Sequence, residues 1–147
     1  MSRLDPNQAL ENWAAAQCAQ LAPAARRQLA RKLALAIRRD QQKHITAQQN
    51  PDGSAYIPRK PRAVARSGRI RQKALFGKLR RAKYLRIRTT SNGAEIGFSG
   101  RSARIARVHQ YGLRDRVTRN GPTVHYPRRE LLGFTAELRA KVRNLLI

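Results

Sequence analysis

The chain is 147 residues long and carries 32 Lys and Arg against 8 Asp and Glu, a formal net charge of +24. That length fits one domain with one modest core, and so large an excess of one sign repels itself unless something anionic lies close by. Aromatic residues, at 5%, are too few for a stacking platform on single-stranded nucleic acid, and one cysteine, Cys18, excludes an internal disulfide framework or a Cys-rich zinc site.

Asp5 followed by Pro6 opens the first element, because Asp caps a helix and Pro is tolerated in its first turn. Leu10, Trp13, Ala14, Gln17 and Leu21 then recur on one face at helical spacing. Pro23 interrupts the pattern and opens a second helix, with Leu29, Leu33 and Ile37 at four-residue intervals and Ile45 extending the face. Arg26, Arg27, Arg31, Lys32, Arg38 and Arg39 fall mostly outside it, so a helical hairpin with a basic outer side is predicted. Such a helix also suits a membrane surface, although this Leu spacing is more often core packing. The start, Met-Ser-Arg-Leu-Asp-Pro-Asn, lacks the apolar stretch of a signal peptide, and no apolar run nears the ~18 residues of a membrane span. A soluble protein with no membrane partner is expected. Cys18 reads as a small buried apolar side chain, compatible with a reducing cytoplasm.

Asn50-Pro51-Asp52-Gly53 is a turn cluster, since Pro fixes φ and Gly accepts positive φ. Residues 54–68 hold two prolines and four basic residues, and a mobile, extended arm ordered only against a partner is expected. No acidic residue occurs between Asp52 and Glu95, while positions 59–88 hold thirteen Lys and Arg. Gln72 to Ala82 is helix-compatible, with Leu75, Phe76 and Leu79 on one side. From Tyr84 to Thr90 the period becomes two: Leu85, Ile87 and Thr89 alternate with Arg86 and Arg88. Asn92-Gly93 signals a tight hairpin turn, and Glu95-Ile96-Gly97-Phe98 forms the returning strand. Ser102 caps a predicted short helix that runs to Gln110, with Gly112 as its stop. Thr123 to Tyr126 fits a short strand, and Leu131-Leu132-Gly133-Phe134 an apolar junction. Thr135 caps the last helix, whose apolar face is Leu138, Val142, Leu145 and Leu146.

Catalytic chemistry finds little footing. The eight carboxylates are scattered, His44, His109 and His125 lie on different elements, and no HExxH, GxSxG or Walker loop occurs. A zinc site from His109, His125 and Cys18 exists only on paper, so no metal, cofactor or enzymatic activity is expected. Ser99-Gly100-Arg101-Ser102 suits a phosphate at a helix N-terminus, but a plain turn and cap is the favoured reading. The basic run has a bland reading, a solvated cationic face, and a sharper one, phosphate neutralisation that is salt-dependent and blind to sequence. No helix-turn-helix, zinc finger or basic zipper supports base reading, so a DNA partner would be held or surrounded rather than read. His109-Gln110-Tyr111-Gly112-Leu113-Arg114-Asp115-Arg116 packs polar, aromatic and helix-stop residues into one turn, which fits either a helix cap with Tyr111 in the core or an interface.

Several strings together resemble the virion morphogenesis, or tail completion, family of contractile-tailed temperate phages. They are Ala22-Pro23-Ala24-Ala25-Arg26-Arg27; Asn50-Pro51-Asp52-Gly53 with Arg59-Lys60 following; Phe76-Gly77-Lys78-Leu79-Arg80; residues 103–116 with His109-Gln110-Tyr111-Gly112-Leu113 at their centre; and Leu131-Leu132-Gly133-Phe134-Thr135. They stand in family order across nearly the whole chain. The resemblance implies a non-enzymatic structural protein, in the virion at the tail neck and in the host cytoplasm during assembly. It further implies a homo-oligomeric ring, a hexamer being favoured, around the DNA path, beside tail tube, terminator or connector proteins. Arg80, Arg81, Lys83, Arg86 and Arg88 are then the candidates to face double-stranded DNA or acidic protein. Arg59, Lys60, Arg62, His109, Gln110, Tyr111, Leu113 and Arg114 are the candidates for subunit contacts. The rival is a free-standing, nonspecific nucleic-acid-binding or packaging protein. The expected fold is α+β in a single domain over 1–147: an N-terminal helical hairpin, a small antiparallel sheet with a hairpin near 84–98, and a C-terminal helix.

Overall fold

A computed structural model describes residues 5–60, 74–90 and 93–146. Helix α1 spans Pro6–Ala19 and α2 spans Pro23–Thr46. The Asp5 carboxylate accepts from the Asn7 N–H at 3.0 Å, the cap expected from the Asp-Pro start. At the turn into α2, the Arg26 guanidinium folds back onto the end of α1. It donates to Cys18 O and Leu21 O, both at 3.1 Å, which satisfies carbonyls that a helix end leaves open.

The 24 residues of α2 make it about 36 Å long, enough to run past two separate core clusters. One cluster joins Leu10, Leu138 and Val142 with Trp13, Leu33, Ile37 and Phe134 around it. It glues α1 and α2 to α4, Ala136–Leu146, which Thr135 caps by accepting from Leu138 N–H at 3.0 Å. The other cluster joins Ile45, Tyr56, Leu75, Phe76, Leu79, Ala106 and Leu131. Full burial of a Leu or Ile such as Leu131, Leu138 or Ile45 contributes about 1.5–3 kcal/mol.

Strands β1, Leu85–Thr90, and β2, Gly93–Phe98, pair antiparallel with Ile87 opposite Ile96 and Arg88 opposite Glu95. The ribbon packs on α2, and Leu85 is fully buried. Helix α3, Arg101–Tyr111, follows directly. A second ribbon pairs β3, Arg114–Arg116, with β4, Thr123–His125. The α+β class and the order of elements are therefore as expected, but the described residues form two small ribbons rather than one sheet.

Three local expectations change. The Gln72–Ala82 helix is absent over its described part; residues 75–84 form successive turns and bends. The cause lies at Phe76, which takes φ 61°, a left-handed conformation no continuing helix allows. Its ring is held edge-on against Tyr56 at 5.6 Å and His109 at 4.8 Å, and that burial offsets a backbone strain of about 1–3 kcal/mol. Ser102 is not the cap of α3: Gly100 takes that position, and Ser102, buried in the first turn, donates to Ser99 O. The first residues of the expected arm are docked, because Ala55 bridges Gln49 and Tyr56 is 5% exposed with its hydroxyl donating to Glu130 O at 2.8 Å. The rest of the arm beyond Lys60, and the Asn92 half of the hairpin turn, lie outside the described residues. The end of α2 was not anticipated at all: it lacks glycine, Gln48 taking φ 58°, and the Gln48 side-chain amide clasps Leu75 by accepting from N–H at 2.7 Å and donating to C=O at 2.9 Å.

Candidate functional site

The centre of the molecule is an irregular strap, residues 129–133, whose backbone is satisfied mainly by side chains. Gln110 Oε1 accepts from Leu131 N–H at 2.8 Å and Leu132 N–H at 2.9 Å, and Gln110 Nε2 donates to Leu132 O at 2.8 Å. Gln41, 2% exposed, does the same for Gly133, accepting from its N–H at 3.0 Å and donating to its C=O at 2.7 Å. Asn50 Oδ1 accepts from Glu130 N–H at 2.8 Å. Buried backbone must find partners somewhere, and here three amide side chains from distant elements supply them. The Asn50 turn, the His109–Gln110 helix end and the Leu131–Phe134 junction thus meet in one place.

Arg129 anchors the strap to the start of the arm. It is 3% exposed and donates through Nε to Ile57 O at 2.6 Å and through Nη2 to Pro58 O at 3.2 Å. Its Nη1 meets His109 Nδ1 at 3.2 Å. Burial, then the Arg129 and Arg59 charges, push the His109 imidazole down to about 4, so it is neutral near pH 7 and its Nδ1 serves as the acceptor. The ring is further fixed edge-on to Phe76 and to Tyr126 at 5.1 Å. Helix α3 then stops at Gly112, φ 62°, where a Cβ would also press on Arg128 N at 3.1 Å.

This stop turns the chain outward. Tyr111 is 64% exposed, Leu113 37% and Ile105 49%. Arg101, Arg104 and Arg107 share the outer face of α3, and Arg114, Arg116 and Val117 continue the exposed surface on and after β3. Tyr and Arg on a rigid helix are the side chains that anchor protein interfaces. Of the candidates for subunit contacts, Tyr111, Leu113, Arg114, Arg59 and Lys60 are exposed, His109 and Gln110 are spent inside the fold, and Arg62 lies outside the described residues.

The candidates for anion contact occupy a different region, the turns beside α2 and the first ribbon. Arg80 is held to the fold, donating to Thr46 Oγ1 at 3.0 Å, and Gln42 Nε2 donates to Arg80 O at 2.8 Å. Arg81 is exposed, and exposed Lys83 lies over the Tyr84 ring. Arg86 donates to Lys83 O at 3.0 Å, and Arg88 faces Glu95 at 3.5 Å across the ribbon. The carboxylates do little to neutralise the chain. Among the described residues four cations pair with one, Lys43, Arg88, Arg104 and Arg128. Asp5 caps a helix, Asp52 closes a turn with Ser54, and Asp40 accepts from Thr135. The net +24 already counts every carboxylate, so none of that excess is neutralised within the chain.

Among the described residues no three His, Cys, Asp or Glu are grouped to hold a metal ion, and no helix is long and apolar enough to cross a membrane. His125 bonds to Gly112 O at 2.7 Å, and Cys18 lies on α1. The Gln41, Gln48 and Arg129 clasps are not predicted by the sequence: Gln41 and Gln48 stand on and just past the end of α2, and Arg129 lies in the irregular strap with no local signal.

A family model described as the phage virion morphogenesis family matches residues 5–147. The chain is 41% identical over 119 residues to tail completion protein S of Escherichia phage P2, covering 80% of this chain and 79% of that protein. No solved structure gives a significant match. Because the match runs from the cap of α1 through α4 and includes every strand and clasp described above, the chain belongs to the phage virion morphogenesis family.

Proposed function

We propose that this chain is a structural, non-enzymatic virion protein that completes the phage tail, forming a ring at the head–tail junction around the path of the DNA. The observation that carries this is the pairing deficit: four carboxylate-paired cations among the described residues, in a chain of net +24. Such a surface repels itself, and dense negative charge close by, which virion DNA or acidic faces of neighbouring neck proteins supply, relieves that repulsion. The name of the P2 relative supports tail completion as the setting. The scaffold fits a passage through which DNA must move, because flexible exposed Arg and Lys contact phosphates without reading bases. The α3 face, with Tyr111, Leu113 and Arg114, supplies the contacts between copies.

The test is genetic and physical together. A phage lacking the protein should accumulate DNA-filled heads and unjoined tails, and the purified chain should give a discrete oligomer by mass photometry. Normal particle yield without the protein contradicts tail completion. A stable monomer that coats DNA and never enters particles favours the rival, a free nucleic-acid-binding protein.

A further inference from the structure

The first ribbon is incomplete as a sheet. Two strands alone are marginal, and among the described residues neither outer edge of β1–β2 carries a third strand. Protein edges are usually blunted by charged side chains, Lys above all, by proline or by a bulge. β2 reads Gly-Ala-Glu-Ile-Gly-Phe, with Glu95 its one charge, no cation and no proline, and its six pairs with β1 run without a bulge. In a chain of net +24, this is the strand on which a second copy meets least repulsion.

The register supplies the complementarity. Arg86 lies opposite Gly97 and Arg88 opposite Glu95, so these four share the ribbon's outer face, while Leu85, Ile87, Ile96 and Phe98 belong to the face toward the core. Let the β2 edges of two copies pair antiparallel with Ile96 on the two-fold axis. Glu95 of each copy then stands opposite the other's Gly97, and beyond that Gly lies the other's Arg86. Positions two strands apart are roughly 10 Å apart, a gap that Arg and Glu side chains span when nothing rises between them. Gly97 leaves that space bare: a Cβ there would meet nothing within 4 Å, so neither packing nor a positive φ explains the glycine within one copy.

We infer that β2 is a self-association edge, pairing with β2 of a second copy to make a four-stranded sheet held by reciprocal Arg86–Glu95 contacts. An isologous contact of this kind joins copies in pairs, and it is separate from the α3 face that the proposed ring uses.

The experiment is sedimentation velocity on the full-length chain over a concentration series, without DNA or tails. The wild type should associate reversibly. Gly97→Val should weaken association at least about tenfold, roughly 1.4 kcal/mol, while the thermal midpoint holds or rises, because Val suits a strand and meets nothing there. Arg86→Glu and Glu95→Arg should each weaken it about fivefold or more, and the double exchange should return to within about threefold of wild type. The exchange variants leave Gly97 untouched and so test the contact even if Gly97→Val folds poorly. Amide exchange at residues 94–98 should slow as concentration rises. A monomeric wild type, wild-type association by Gly97→Val, or a double exchange no better than either single change would overturn the contact. Pairing in solution with no part in tails would leave it standing and count only against the proposed function.

Discussion

Replacing Gln110 by Met keeps the length of the side chain and removes every polar atom from the clasp. Leu131 and Leu132 N–H lose their acceptor, and Leu132 O loses its donor. A buried polar group left unmet costs about 1–3 kcal/mol. Leu131 is fully buried, so its N–H takes the whole penalty, whereas Leu132 is half-buried and water recovers part of its loss. The sum is ~2–5 kcal/mol, a large share of the 5–15 kcal/mol that holds a typical domain folded. At this chain length each kcal/mol lowers the melting temperature by roughly 2–4 °C, so a drop of about 5–15 °C is expected. Urea denaturation followed by circular dichroism gives the free energy directly. Tyr111→Ala, one residue along and 64% exposed, is the control and should stay within about 0.5 kcal/mol of wild type. A loss below about 1 kcal/mol for Gln110→Met would show that the strap finds other partners and that the clasp does not hold it.

Three more outcomes follow from the same geometry. His109 titrates at about 4 when folded against about 6.5 when unfolded, so the unfolded chain takes up the proton first as pH falls. Its contribution is complete above pH 6.5 and is lost between about 6.5 and 4; the gap corresponds to ~3 kcal/mol, reduced to ~1–2 by the solvent that reaches a half-buried ring. Denaturation against pH should show that loss, and His109→Gln should flatten it. Gly133→Ala places a Cβ 2.5 Å from Pro51 Cγ and should cost about 1–3 kcal/mol by denaturation, against near-neutrality for Gly97→Ala, where the space is open. Replacing Arg81 and Lys83 by Ser should leave stability unchanged and lower the slope of log K against log salt for duplex DNA by about 1.8; an unchanged slope would remove these two from the DNA-facing set.

Local chemistry was legible at most places where a residue acts on its own neighbours, Ser102 being an exception. Asp5-Pro6, Pro23, Gly112 and Thr135 mark helix ends through caps and φ, and the two-residue period of Leu85, Ile87 and Thr89 marks β1. What escaped is set by distant partners. Phe76 reads as helical until Tyr56 and His109 hold its ring and turn its backbone left-handed. Tyr56 sits in a proline-rich stretch whose composition suggests no packing, yet Glu130 O and the core fix it. Gln110 reads in the sequence as a candidate for subunit contact, and only the strap 21 and 22 residues onward shows it turned inward. The β3–β4 ribbon is three residues long on each side, too short to show a period.

The most direct test of a tail-completing ring is an electron cryo-microscopy map of the virion neck with this chain located in it. The expected result is a closed ring at the head-proximal end of the tail, with Arg81 and Lys83 turned to DNA or to an acidic neighbour and the Tyr111 face of each copy buried against the next. A complete neck that contains no copy of the chain, or copies bound only as isolated monomers, would contradict it.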